Sequence, residues 1–118
     1  MLSISLWSAT RKSVRGTKYS VIASVKCEDQ ENYVNWLQNG HVQAVCKAGA
    51  TSARILVHEG IEDGRVKIEA MYFFANRDSL QQYLDVSAPL LREEGKKLWI
   101  DTNKAIFTRS ISNIVFSN

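Results

Sequence analysis

The chain has 118 residues, of which 45% are hydrophobic and 23% are charged, and its formal net charge at pH 7 is +3. This size and composition indicate one soluble globular domain, and no apolar run reaches the about 20 residues that a membrane-spanning helix needs. The basic excess is confined to the N-terminal segment, which argues against a nucleic-acid-binding surface on the rest of the chain.

Residues 1–18 differ in composition from the remainder. They contain four Lys and Arg and no acidic residue, whereas residues 19–118 carry eleven Lys and Arg and twelve Asp and Glu. A basic segment that is rich in Ser and Thr and lacks acids is typical of a mitochondrial targeting sequence. We therefore interpret residues 1–18 as a presequence-like extension that docks on another chain, and residues 19–118 as the domain. The extension favours a mitochondrial location, the alternative being a cytoplasmic one.

The first half of the domain predicts a strand, a helix and a second strand. Apolar and polar residues alternate through residues 18–27, which is the period of a strand. Residues 28–49 change to helical spacing, with His41 in the middle of the apolar face. Gly49 suits the end of that helix, and residues 50–58 alternate again.

The second half begins with a hairpin. Asp63-Gly64 is a strong turn signal between the preceding strand and a further strand over residues 65–75. Residues 77–95 then have helical spacing, and Pro89 is expected to kink or restart the helix because it lacks a backbone donor.

The chain ends with a predicted loop and a predicted strand. Residues 96–103 are assigned to the loop, and residues 104–116 to the strand. The resulting order β-α-β-β-α-β predicts an α+β fold of the ferredoxin-like type, in which a four-stranded antiparallel sheet carries both helices on one face.

The other face of this sheet has no predicted cover. We place Met71 and Phe73 on it together with Phe107 or Ile111, so that a lone chain would expose apolar surface. Pairing with a second copy or with a similar fold would cover this face, since two-fold dimers are the commonest oligomers. The residues predicted for the interface are Arg54, Lys67, Glu69, Met71 and Phe73, together with Trp7 of the extension.

Arg54 and Glu69 are expected to share a face on neighbouring strands. We favour a cross-strand ion pair between them, which contributes little to stability at a surface. The alternative is that Arg54 binds an anion inside the barrel of the dimer.

Two runs of residues resemble a known family. The first comprises Trp36-Leu37, Gly40-His41-Val42, Val45, Gly49 and Ser52-Ala53-Arg54, and the second comprises Tyr83-Leu84, Ala88-Pro89, Leu91-Arg92 and Glu93. Over residues 19–116 the chain is similar to an uncharacterised family of the dimeric α/β-barrel superfamily. The resemblance implies a ferredoxin-like fold and a dimer, but no activity. The wider superfamily includes small monooxygenases, lactone isomerases, polyketide cyclases and enzymes of dehalogenation or haem handling, and fold alone does not choose among them.

His41 is the strongest candidate for chemistry. Its helix face packs toward the sheet, where an imidazole can act as a general base near neutral pH, with Tyr33 or Tyr72 as a helper. We predict a ligand pocket lined by His41, Leu37, Trp36 and Tyr72. The alternative, which is the commoner situation, is a buried His whose ring nitrogens bond to other protein groups.

Other kinds of site are not indicated. The sequence has no Gly-rich phosphate loop and no GxSxG, HExxH or CxxC motif. Cys27 and Cys46 are interpreted as thiols, and two His without a third ligand nearby argue against a metal site. We expect neither a metal nor a cofactor.

These observations lead to two hypotheses. The first, which we favour from the sequence, is a non-catalytic accessory subunit of a larger and mitochondrial assembly. It is supported by the extension, by the mixed polarity of the uncovered sheet face and by the absence of a convincing catalytic set. The second is a small-molecule-binding protein, or an enzyme of the cyclase, isomerase or monooxygenase type, that uses His41. An enclosed cavity at His41 favours the second hypothesis, whereas an imidazole packed solidly and bonded to backbone excludes it.

Overall fold

The structure, a computed structural model, describes residues 16–118. It contains β1 (Thr17–Lys26), α1 (Gln30–Trp36), α2 (Val42–Lys47), β2 (Ser52–Val57), β3 (Arg65–Phe74), α3 (Arg77–Val86), α4 (Ala88–Gly95) and β4 (Ala105–Asn113). The four strands form one antiparallel sheet in the order β2-β3-β1-β4. The predicted ferredoxin-like arrangement is therefore confirmed, with each predicted helix divided into two.

The first predicted helix is divided by a wide turn at Leu37–His41, where Asn39 and Gly40 leave the helical conformation. Gly40 has φ 148° and ψ −45°, a conformation that glycine adopts far more readily than residues with a Cβ. The side chain of Gln43 satisfies the backbone groups that this turn releases. Its Oε1 accepts from the amide of Gly40 at 2.8 Å, and its Nε2 donates to the carbonyl of Gln38 at 2.6 Å. The turn thus places His41 directly before α2.

The second predicted helix is divided at Ser87, because Pro89 can only occupy the first turn of a helix. Asn76 caps the start of α3, and its Oδ1 accepts from the amide of Ser79 at 2.8 Å. The prediction of a loop directly after Gly95 was wrong. A second wide turn, Lys96–Ile100, continues from α4, and it carries a Trp side chain into the core.

The hairpin prediction is confirmed. Asp63 and Gly64 have φ values of 55° and 71°, as a two-residue hairpin turn requires. Glu62 and Arg65 exchange two backbone hydrogen bonds of 3.0 Å on either side of them. This pairing continues directly into β3.

The core lies between the helices and one face of the sheet. The largest buried side chains are Tyr33, Tyr72, Phe74, Leu37, Ile68 and Leu80. Tyr19 and Tyr83 are buried beside them, with ring centroids 6.1 Å apart. The core is therefore rich in side chains that carry a polar group at the end of a large apolar surface.

The opposite face of the sheet carries Met71 and Phe73, as expected, but not Phe107. Phe107 pairs with Ala23 across β1 and β4, and its ring lies 6.1 Å from that of Tyr33 on the helix side. Ile111 lies four positions after Phe107 in β4 and therefore on the same face of the strand. The prediction of either residue on the open face was wrong. Within residues 16–118 no helix is long and apolar enough to cross a membrane.

Candidate functional site

A cavity of about 30 Å³ lies between the sheet and the helices. Its aromatic walls are formed by Tyr19, Tyr33, Trp36, Tyr72, Tyr83 and Phe107. Its polar lining consists of His41, Arg92 and Arg109. All four residues of the predicted pocket, namely His41, Leu37, Trp36 and Tyr72, line this one space. The helix and the strand that were predicted separately therefore bring these side chains together, although their role in binding stays a prediction.

The imidazole of His41 stacks on the indole of Trp36, with ring centroids 4.2 Å apart and planes 23° apart. The indole Nε1 donates in turn to a carboxylate oxygen of Glu94 at 3.3 Å. His41 Nδ1 is buried and has no hydrogen-bond partner within the described residues. The alternative of a fully bonded core His is therefore not what the structure shows.

Burial lowers the pKa of His41 below its ordinary value of 6.5, and the negative charge of Glu94 opposes this only in part. The imidazole is consequently neutral at neutral pH. A neutral imidazole has one nitrogen that can accept a proton or a hydrogen bond. His41 is therefore in the state that a general base requires.

Tyr72 is the second residue of the cavity lining that has a buried polar atom without a partner. Its hydroxyl is buried, and no hydrogen bond satisfies it among the described residues. Burial raises its pKa far above the ordinary range, so that it remains a protonated donor. Leaving such a buried group unpaired costs about 1–3 kcal/mol. The indole Nε1 of Trp99 is also unpaired, but this residue does not line the cavity.

The two groups are of the kinds that a proton transfer next to a carbonyl group uses. A neutral imidazole is a base of suitable strength, and a protonated phenol hydroxyl is a donor to an oxygen on which negative charge develops. Tyr33 lines the same cavity, as expected for a helper, and burial raises its pKa strongly.

Arg92 and Arg109 are site residues that the sequence analysis missed. Arg92 projects from α4, and its Nη2 donates to the hydroxyl of Tyr19 at 3.0 Å. Arg109 lies on β4 opposite Val21, and its guanidinium carbon is 5.6 Å from the ring centre of Phe107. The sequence held no signal for either residue, because strand alternation links Arg109 only to Phe107, whose face the alternation itself does not determine.

The predicted interface residues other than Trp7 lie on the open sheet face, but the predicted ion pair of Arg54 with Glu69 does not form. Arg54 faces Met71 across β2 and β3. Glu69 instead accepts from Ser20 Oγ at 2.5 Å, and its other oxygen lies 2.9 Å from His58 Nε2. The hydrogen bond from Ser20 is the largest of the effects that lower the pKa of Glu69.

The remaining interface residues are placed as follows. Lys67 is exposed opposite Ser24, and Phe73 is half-buried opposite Lys18. Trp7 lies outside the described residues. No group of three or more His, Cys, Asp or Glu able to hold a metal ion occurs in the part of the chain that the structure describes.

The unpaired hydroxyl of Tyr72 can be tested by stability. Tyr72→Phe should leave the free energy of unfolding unchanged or raise it by about 1 kcal/mol, because it deletes a buried group without a partner. The matched control Tyr19→Phe deletes a hydroxyl bonded to Arg92 and should lower stability by about 0.5–1.5 kcal/mol. Urea denaturation of both variants makes the comparison. A larger loss in Tyr72→Phe than in Tyr19→Phe would show that the Tyr72 hydroxyl is bonded.

The lowered pKa of His41 predicts a pH dependence of stability. As the pH falls below 6.5, the unfolded chain binds a proton at His41 before the folded chain does. The free energy of unfolding should therefore decrease between pH 6.5 and the lower pKa of the folded state. His41→Asn should remove this part of the decrease, as measured by urea denaturation at a series of pH values. An unchanged slope in the variant would contradict the burial of a neutral imidazole.

Comparisons with known proteins support the fold. The sequence profile of the family described as a domain of unknown function, DUF4286, matches residues 17–114. A comparison with curated proteins finds no match. Among solved structures, a dimeric ferredoxin-like protein from an uncultured marine organism is 14% identical with a TM-score of 0.63, over 88% of this chain and 99% of its own.

Two further structures are similar. A second dimeric ferredoxin-like protein from an uncultured marine organism is 12% identical with a TM-score of 0.57, over 91% of this chain and 94% of its own. An ethyl tert-butyl ether d (EthD) family protein from Bacillus halodurans C-125 is 15% identical with a TM-score of 0.55, over 79% of this chain and 96% of its own. Identities this low show the fold alone. The match over residues 17–114 shows that the chain belongs to the DUF4286 family, a family of unknown function.

Proposed function

We propose that this chain is a small-molecule-binding domain that holds a polar group of its ligand at His41 and Tyr72. The observation that carries the proposal is that two buried polar atoms without protein partners, His41 Nδ1 and the Tyr72 hydroxyl, belong to residues that line the same cavity. Buried polar groups are normally bonded in folded proteins, so two unbonded groups at one cavity call for an explanation.

The size of the cavity limits which part of a ligand it can enclose. Its volume of about 30 Å³ exceeds the roughly 10–15 Å³ of such space that one water molecule needs, so the cavity accepts at least one hydroxyl or carbonyl group. In this proposal a ligand hydroxyl accepts a hydrogen bond from Tyr72 and donates one to the neutral imidazole of His41.

The walls of the cavity suit a flat ligand. Six aromatic side chains surround the space, and rings of this kind pack well against another planar ring. Arg92 is exposed and is held to the site by one bond to Tyr19, so it can swing aside at little energetic cost to admit a ring.

The same residues support an enzymatic version of the proposal. A ligand that places a carbonyl oxygen at Tyr72 can lose a proton from the adjacent carbon to His41, and the electron pair of the broken C–H bond moves to the carbonyl oxygen as an enolate. In a ligand with a C=C bond next to that carbon, the enolate is conjugated, and return of the proton from His41 to the far end of the conjugated system completes an isomerisation and restores the neutral imidazole. This chemistry agrees with the cyclase and isomerase activities in the wider superfamily that the sequence resembles.

We rank this function above the accessory subunit that the sequence favoured. That hypothesis depended on residues 1–18, of which residues 1–15 lie outside the described residues, on the mixed polarity of the uncovered sheet face and on the absence of a convincing catalytic set. The cavity at His41 counts against the last of these arguments. The docking of the extension on another chain and a mitochondrial location remain predictions from composition.

Binding can be tested with para-hydroxybenzamide, an uncharged planar probe whose hydroxyl is small enough to enter the cavity beside His41 and Tyr72. We expect saturable movement of the Trp36 indole N–H signal in the NMR spectrum of the ¹⁵N-labelled full chain, because this ring stacks on His41. His41→Asn should weaken binding about tenfold, as the loss of one hydrogen bond to a buried group predicts.

The chain offers a matched control for this experiment. His58 is the only other His, and it lies on the opposite face of the sheet beside Glu69. His58→Asn should bind the probe as the wild type does. Absence of any movement of the Trp36 signal, or equal affinity in His41→Asn, would contradict the proposed function.

We also propose that the open sheet face pairs with a second copy of the chain. Ile22, Leu56, Met71 and Phe73 surround the bonded group of Ser20 and Glu69 on this face, where the structure places no helix of residues 16–118. Two of the similar structures are described as dimeric, which supports the proposal.

Sedimentation at micromolar concentration should find a dimer that Met71→Lys converts to a monomer, because the substitution places a charge at the centre of the pairing face. Leu90→Lys is the matched control, since Leu90 is 79% exposed on α4 and lies on the helix side. A monomeric wild type, or a dimer that survives Met71→Lys and is lost in Leu90→Lys, would rule out pairing through this face.

A further inference from the structure

Two guanidinium groups reach the central cavity from opposite sides. Arg92 arrives from α4 and Arg109 from β4, and both line the cavity. Both positive charges also act electrostatically on the hydroxyl of Tyr83, which lines the same cavity. Burial raises the pKa of Tyr83 to about 12, and the two arginines oppose that effect.

Neither arginine is neutralised by an acidic side chain. The ion pairs within residues 16–118 join His58 to Glu69, Lys96 to Asp101 and Lys97 to Glu93. The contacts that the structure gives the two guanidinium groups are with the Tyr19 hydroxyl and the Phe107 ring. Two adjacent cations repel each other, and a negative charge between them relieves this repulsion.

One carboxylate lies near the cavity without pairing with these cations. Glu94 accepts from the indole of Trp36, and its charge acts on His41. It therefore belongs to the His41 side of the site. The cavity is therefore lined by a neutral imidazole and by two guanidinium groups, to which no ion pair of residues 16–118 gives an acidic partner.

We propose that Arg92 and Arg109 form an anion-binding pair at the mouth of the cavity, and that the ligand of the site is a planar organic carboxylate. The planar guanidinium group presents paired donors that match a carboxylate in two parallel hydrogen bonds. Arg92 exchanges its bond to the Tyr19 hydroxyl for a charged acceptor when the ligand binds. The exposure of both arginines gives an anion direct access from solvent, and their positive field attracts it.

This inference rests on the proposed function, and a pair of probes separates the two. Para-hydroxybenzoate and para-hydroxybenzamide have the same ring and hydroxyl and differ in charge at the other end. In the wild-type chain we expect the carboxylate to bind about tenfold or more tightly than the amide, with the difference shrinking at high salt. The Trp36 indole signal reports both titrations.

The double variant Arg92→Gln/Arg109→Gln should reduce the ratio of the two affinities to about one. The control variant Lys47→Gln/Arg77→Gln removes the same net charge from exposed positions that do not line the cavity, and it should keep the wild-type ratio. Equal affinity for both probes in the wild type, or a ratio that persists in the Arg92→Gln/Arg109→Gln variant, overturns the anion site while the binding function stands. Failure of both probes to move the Trp36 signal overturns both proposals.

Discussion

The structure depends on how a core made largely of aromatic rings accommodates the polar atoms that those rings carry. Tyr19, Tyr33, Tyr72 and Tyr83 fill much of the space between the sheet and the helices, and each brings a hydroxyl into it. Large rings bury much apolar area, which is the main favourable contribution to folding. Their polar ends must then be bonded, and the structure bonds the Tyr19 hydroxyl to Arg92 but leaves the Tyr72 hydroxyl without a partner among the described residues. The site is therefore a consequence of the composition of the core.

The two wide turns allow this arrangement. An unbroken first helix would keep one straight face, whereas the turn at Gly40 changes the direction of the chain immediately before His41. The second turn, Lys96–Ile100, brings Trp99 to within 5.1 Å of Tyr33, measured between ring centroids. A backbone conformation that only glycine adopts readily persists where the surrounding contacts hold it in place. At Gly40 those contacts include the stacking of His41 on Trp36 and the hydrogen bonds of Gln43.

The sequence predicted the fold better than the site. Changes between strand and helix period, the Asp63-Gly64 turn and the position of Pro89 gave the order of elements, because each of these signals is local. Local signals do not show which face of the sheet Phe107 occupies. Apolar residues occur on both faces of the last strand, and only its pairing with β1 decides which face lies toward the helices. The partner of Glu69 likewise depends on register, which places Ser20 and His58 within its reach and Met71 opposite Arg54.

The site itself was recognised through one unusual residue. A His on an apolar helix face is visible in the sequence, so His41 and its neighbours Leu37 and Trp36 were found. An Arg that lines a cavity looks in sequence like any solvent-facing Arg, so Arg92 and Arg109 were not. Their role becomes visible only in the structure, where α4 and β4 bring both side chains to one cavity.

The most direct test of the central claim is a high-resolution crystal structure of the chain grown with para-hydroxybenzoate. The account predicts that the ligand hydroxyl lies within hydrogen-bonding distance of His41 Nδ1 and the Tyr72 hydroxyl, with the carboxylate between Arg92 and Arg109. A structure in which His41 and Tyr72 are bonded to each other or to other protein groups, with no space between the helices and the sheet, would contradict it.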